Sequence, residues 1–201
     1  MIHLKSANIE QIPNQERNVL AFSEAEDLRW AGMIFLPPNA SLQLDFDIRT
    51  DLFVLKGSLI EIGIEHMAGA FLSRNNIAQV HAGQQGATVF KYCDRLSSMC
   101  GNETVAQSDR QWIHGGTDGM EVAPLSKTHH QLMLVSWLPS TRIGFHTHQW
   151  GEEILVLKGE LCDQTGRHPA GTWQRFYPES GHAPYAEVST TILLRNGHFC
   201  T

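Results

Sequence analysis

The chain has 201 residues, 42% hydrophobic and 18% charged, a globular balance that excludes a disordered chain. Its 15 Lys+Arg against 21 Asp+Glu leave a formal charge of −6 with no basic cluster. That excludes a phosphate-binding face, so no nucleic-acid partner is expected. No segment approaches the roughly 20 consecutive apolar residues of a membrane span, and the start MIHLKSANIEQIPNQERN lacks the apolar core of a secretion signal. No membrane partner is expected, and a cytoplasmic location is the default expectation.

In chain order, residues 9–19 and 25–30 are the only stretches compatible with short helical turns. The remainder reads as β-structure. DLFVLKGSL, EEILVLKGEL and TTILLRNGHF are rich in apolar and β-branched residues, and Gly, Pro, Asn and Asp punctuate the chain between such runs. Many short strands with regular turns predict an all-β sandwich or barrel. Residues 101–119 (GNETVAQSDRQWIHGGTDG) are polar and Gly-rich and read as a connection between two domains.

The two domains follow from an internal repeat. Residues 36–71 align without gaps over residues 138–173 at an offset of 102, with 10 of 36 positions identical, including VLKG in both copies. His66 falls on His168, and the Ala-Gly pair recurs after each. One duplication of this length predicts two similar domains, divided at residues 1–105 and 106–201.

The second copy carries a metal-ligand pattern. His146 and His148 are two residues apart, so on a strand both imidazoles face one side. Gln149-Trp150-Gly151 offers a tight turn, and Glu152 opens the next strand. His182 follows about thirty residues later in RFYPESGHAP, a separation that a barrel closes. Three imidazole nitrogens and one carboxylate suit Zn, Fe(II), Mn, Ni or Cu better than the hard ions Mg and Ca. Glu153 should face away from this set into solvent. Arg175 reads as a surface ion-pair partner, and Trp173, Phe176 and Tyr177 as barrel packing. His66 and His168 sit at turns and read as structural. His129, His130 and His198 have no recruiting spacing, although a pocket role for His198 stays open. The four cysteines, Cys93, Cys100, Cys162 and Cys200, show no CxxC spacing, so free thiols are expected in a reducing compartment.

The spacing H-x-H-x3-E-x6-G, from His146 to Gly159, resembles the first cupin motif, and Gly171 to His182, with Pro178 before the histidine, resembles the second. The words HTHxxGEEILVLxGE and RHPAGTWxRxxPxSxHAP are similar to the cupin domain of ChrR-type anti-sigma factors and their stand-alone relatives. The resemblance is strong over residues 119–200 and weaker over residues 20–95. It implies two tandem jelly-roll β-barrels, with one divalent transition metal, zinc first and iron, manganese or nickel as alternatives, inside the mouth of the second. Glu179 stands where that family usually has Gly, which puts the local backbone in question.

At the repeat offset, His146 falls on Leu44, His148 on Phe46, Glu152 on Thr50 and His182 on Val80. A metal-free, architectural first barrel is therefore expected. For function, the resemblance implies ligand or oxidant sensing, or small-molecule binding. The alternative is a metalloenzyme of dioxygenase-like type acting on a small organic substrate, for which no separate general base stands out. Tyr177, Arg175 and Tyr185 are the polar residues nearest the motif. The HxxxCxxC segment of an anti-sigma domain is not found, so no sigma-factor partner is expected. A homodimer and a monomer remain equally open.

Overall fold

The computed structural model describes residues 2–6, 19–22, 29–44, 48–75, 79–95, 101–126 and 131–199. Strands dominate, and the only helical element among the described residues is the 3-10 turn Gln107–Asp109. No helix is long and apolar enough to cross a membrane. The chain forms two compact units. One is Asn14–Arg110; the other joins Met1–Pro13 to Gln111–Thr201.

In the second unit a seven-stranded sheet runs in the order Ile2–Ser6, Thr172–Phe176, Glu152–Lys158, Thr190–Asn196, Gln131–Trp137, Met120–Ser126, Ile113–His114. Against it stand a two-stranded sheet, His146–Thr147 with Gly181–His182, and a three-stranded sheet of Gly166–Pro169, Glu160–Asp163 and Tyr185–Ala186. Strand Ile2–Ser6 lies antiparallel to Thr172–Phe176, so it belongs to this unit and not to the one that a division at 105/106 assigns it to. Val135, Trp137, Ile154, Val156, Leu161, Phe176, Ala186 and Ile192 form the core between the sheets.

The first unit repeats the plan with fewer breaks. Its eight-stranded sheet is centred on two long strands, Ile48–Glu61 and Gln79–Arg95. Leu44, Leu52, Val54, Leu59, Val80 and Val89 belong to its buried apolar cluster. Both units are thus all-β jelly rolls, as the repeat predicts.

The shared VLKG word has a physical reason. Gly57 and Gly159 both adopt φ near +70, at +72 and +75, a left-handed conformation that only glycine takes without strain. A Cβ on Gly57 would strike the Gly86 carbonyl oxygen, and one on Gly159 the Ser189 carbonyl oxygen. Gly57 lies within the long strand Ile48–Glu61, next to a register shift against Gln79–Arg95, whereas Gly159 lets the chain turn from one sheet into another. In the second unit this turn separates Glu152–Lys158 from Glu160–Asp163.

Three expectations need adjusting. Residues 101–119 are ordered parts of the two units: Glu103–Val105 pairs with Phe71–Arg74, and Ile113–His114 with Met120–Ser126. Their edges are held by hydrogen bonds that composition does not reveal, such as Arg74 Nη1 to the Glu103 carbonyl and Arg74 Nη2 to Thr104. The expected helical turns at 9–19 and 25–30 fall mostly outside the described residues, and their described ends, Val19 and Trp30, open strands. The gapless offset also fails late in the repeat. Leu59 pairs with Ala82, whereas its counterpart Leu161 pairs with Ala186, an offset of 104 in place of 102. By strand register His182 therefore corresponds to residue 78, outside the described residues, and not to Val80.

Replacing Gly159 by Ala should lower stability by at least about 1–3 kcal/mol from the left-handed backbone alone, with the Ser189 contact adding to it. Urea unfolding measures this, and an unchanged midpoint would refute the bend argument.

Candidate metal centre

His146 and His182 are brought together by direct strand pairing: they are antiparallel partners, with Thr147 opposite Gly181. Gly181 is required at that crossing, because a Cβ there would strike the His146 carbonyl oxygen. The turn that follows is tied to His148 through its backbone. The His148 amide donates to the Ser180 carbonyl at 2.9 Å, and its carbonyl accepts from the Glu179 amide at 3.0 Å. Glu179 itself has φ +65, a left-handed conformation that a side chain other than glycine takes under strain. Glu152 enters from the other sheet. It opens a strand flanked on both sides, opposite Phe176 and Asn196, and its register is thereby set from two directions.

The four predicted side chains converge. The ring nitrogens of His146, His148 and His182 include a set lying within 4.8 Å of one another. Glu152 Oε2 lies 3.5 Å from His148 Nδ1, and Oε1 lies 3.3 Å from His182 Nε2. His148, Glu152 and His182 are buried, and His146 is half-buried. Phe176 packs against the rings of both His148 and His182. Burial holds the His148 pKa down at about 4; Glu152 opposes that fall, and His182 and His146 add to it. Burial would also lower His182, but the carboxylates of Asp163 and Glu152 outweigh it and raise its pKa. His148 Nε2 is buried with no hydrogen-bond partner among the described residues. A buried imidazole with an unsatisfied nitrogen, its Nδ1 beside a carboxylate and its ring packed with two further imidazoles, suits a metal ion, which accepts such lone pairs.

Asp163, which the sequence reading passed over, stands behind His182. Its Oδ2 lies 3.5 Å from His182 Nδ1, and its Oδ1 accepts from Thr165 and contacts His168 Nε2 at 3.0 Å. Burial would raise the Asp163 pKa, but the bonds from His168, His182 and Thr165 hold it well below the ordinary carboxylate range. His168 is therefore structural, as expected, with Asp163 as its partner. The repeat offered a signal that was not used: Glu61 is the counterpart of Asp163, and it pairs with Arg74 and lies 3.9 Å from His66. Beside the centre lies a cavity of about 170 Å³, half open, whose titratable lining is His146, Glu152 and His182.

Two expected surface residues are buried. Glu153 does point away from the cavity, as strand alternation requires, yet it is 0% exposed. It is held by Arg175, 2.6 Å from Nε to Oε1, and by Arg195, 3.2 Å from Nη1 to Oε2. Burial would raise its pKa, but His198, Arg175 and Arg195 bring it down to about 2. Arg175 is 1% exposed and stacks 5.1 Å from the Trp173 ring. The surface reading failed because strand periodicity tells which face a residue takes, not whether that face is covered. His198 lies 3.8 Å from Glu153 and does not line the cavity. Tyr177 packs near Phe199, and Arg142 lies over the Tyr185 ring. None of Arg175, Tyr177 and Tyr185 lines the cavity. In the first unit Leu44, Thr50 and Val80 are buried; Phe46 lies outside the described residues, as do His129, His130, Cys100 and Cys200. Cys162 is a free, buried thiol, and Cys93 is buried.

Residues 101–200 match the family model described as the ChrR cupin-like domain. This second half of the chain is thus similar to a cupin domain. The chain's fold is similar to that of protein Ylba from E. coli, with a TM-score of 0.73 and 16% identity over 97% of this chain and 90% of that one. It is also similar to a cupin 2 conserved barrel domain protein from Leptotrichia buccalis, at 0.68 and 11% over 96% and 95% of the two chains. The Bacillus subtilis oxalate decarboxylase, studied for its Mn(II) centres, aligns at 0.64 and 12% over 88% and 70%. At these identities the likeness is one of fold. No curated protein matches the chain.

Replacing Glu153 by Ala should cost about 3–5 kcal/mol, the usual penalty for stranding buried cationic partners. A denaturant midpoint equal to that of the unaltered protein would show that Glu153 holds nothing in place.

Proposed function

We propose that the second unit binds one divalent transition-metal ion through His146, His148, Glu152 and His182 and uses it to hold a small molecule, in ligand or oxidant sensing. The observation that carries this reading is the convergence of three imidazoles and one carboxylate at the polar end of an otherwise apolar cavity. That donor set suits zinc first, with iron, manganese or nickel also fitting. When bound, the metal supplies Lewis acidity and coordination positions left free by four protein donors.

The residues around it have separable tasks. His148 stays neutral at physiological pH, so its nitrogen needs no deprotonation before it ligates. Glu152 offsets one positive charge inside a buried site. Asp163 faces His182 Nδ1 and so directs Nε2 toward the centre, the usual work of a carboxylate behind a ligating imidazole. In this reading the first unit is an architectural domain, and the partner is a small molecule, with no sigma factor or nucleic acid involved.

One observation favours a second reading, a metalloenzyme acting on a small organic substrate: the cavity opens directly onto the donors. Glu152 would then be the group positioned to move a proton, since the described wall offers no other carboxylate.

Purified protein should carry about one metal per chain, and the His148→Ala and Glu152→Ala variants should lose it; undiminished metal in both would sink the assignment. The Asp163→Ala variant, with every ligand intact, should bind metal about 10–100-fold more weakly. Equal affinity would remove Asp163 from the orienting role. Iron-loaded protein that consumes O2 with an organic substrate would establish the enzyme, whereas tightly held zinc without turnover would establish the binding role.

A further inference from the structure

The cavity beside the four donors has an uneven wall. Met133, Val135, Trp137, Ile154, Leu161 and Ile192 are among its lining side chains; apart from the Trp137 indole N–H, which is buried without a hydrogen-bond partner among the described residues, the polar groups of the lining belong to the metal set, His146, Glu152 and His182. No lysine, arginine, serine or threonine lines it among the described residues. Alternation builds this wall. Along Glu152–Lys158, Glu152 and Ile154 face the cavity, while Glu153 faces the opposite side with Arg175 and Arg195. The strand thus places its one cation-paired carboxylate, and both arginines, behind the sheet and out of reach of anything in the barrel.

We propose that the barrel interior is a binding chamber for one compact ligand with a hydrocarbon body and a single oxygen donor, the donor lying at His146, Glu152 and His182 and the body among the aliphatic side chains. The inference rests on the metal reading for the donor end only. Size follows from volume: the chamber is about 170 Å³, and an aliphatic cavity of about 150 Å³ takes one benzene. The ligand should therefore have about six to eight non-hydrogen atoms. Charge follows from the lining. One divalent ion and Glu152 together leave a single positive charge, which a monoanionic head neutralises. A second charged group held inside the chamber would be buried with no opposite charge, since the Trp137 indole N–H can donate one hydrogen bond but neither neutralises an anion nor accepts from an ammonium. Dicarboxylates and zwitterions are thereby discriminated against, because no cationic or hydroxyl side chain in the described wall receives them.

Butanoate and 3-aminopropanoate test this, since they share a chain of six non-hydrogen atoms and differ in ending as methyl or ammonium. Zinc-loaded protein is titrated with each, following Trp137 fluorescence and the melting temperature. Butanoate should bind more tightly by on the order of tenfold or more, given the penalty on a buried unpaired ammonium. Equal binding, or preference for 3-aminopropanoate, would overturn the proposal. The Val135→Phe variant fills the chamber and should lose butanoate binding while retaining zinc; Ile192→Phe serves if the first does not fold. Retained binding in a folded, filled variant would place the ligand elsewhere and overturn the proposal. Benzene added to metal-free protein separates this inference from the metal reading. A raised melting temperature, abolished in the filled variant, supports the chamber even if no metal binds. No benzene effect refutes it even if the metal does.

Discussion

The pairing of His146–Thr147 with Gly181–His182 is the constraint on which the site depends. It is only two residues deep on each side, yet it closes a long loop of sequence and sets two imidazoles side by side. Such a short ladder is weak alone. It is reinforced by the backbone bonds between His148 and the turn at Glu179 and Ser180, and by the packing of Phe176 against the His148 and His182 rings. Gly181 permits the close crossing. The turn runs through a left-handed Glu179, at the cost of local strain.

The second dependency is the bend at Gly159. It carries one strand from the sheet that supplies Glu152 to the sheet that supplies Asp163. Glu152, and Asp163 behind His182, thus come from one continuous stretch of chain folded over at a glycine. The first unit has a left-handed glycine at the matching position, Gly57, and the same style of buried pair beyond it, Glu61 with Arg74, but surrounds its interior with aliphatic side chains.

Burial of charge is the third theme. Glu153, Arg175 and Arg195 form a buried ionic group on the face of the sheet opposite the cavity. Taking these charges out of water is unfavourable unless they meet one another with good geometry. Their arrangement keeps the cavity wall free of cations, which is what gives the barrel its contrast between a polar end and an apolar body.

The all-β class, the duplication and the four convergent residues were legible in the sequence, because each leaves a local mark: alternation, a repeated VLKG, and histidines at strand spacing. Those marks work because side-chain direction along a strand alternates with a fixed period. Asp163 left no such mark, since its contact with His182 depends on a bend and on a neighbouring sheet. The burial of Glu153 and Arg175 was equally invisible, because period two says which face a residue takes and nothing about what covers it. The two-residue change of register after Leu59 and Leu161 was hidden as well, since insertions in strand-edge loops leave the flanking motifs intact. The sequence alone pointed to the four side chains that the fold brings together. Only the tertiary structure decided which carboxylate stands behind them, what lines the space beside them, and which charges are kept out, because those are properties of strands brought together across the barrel.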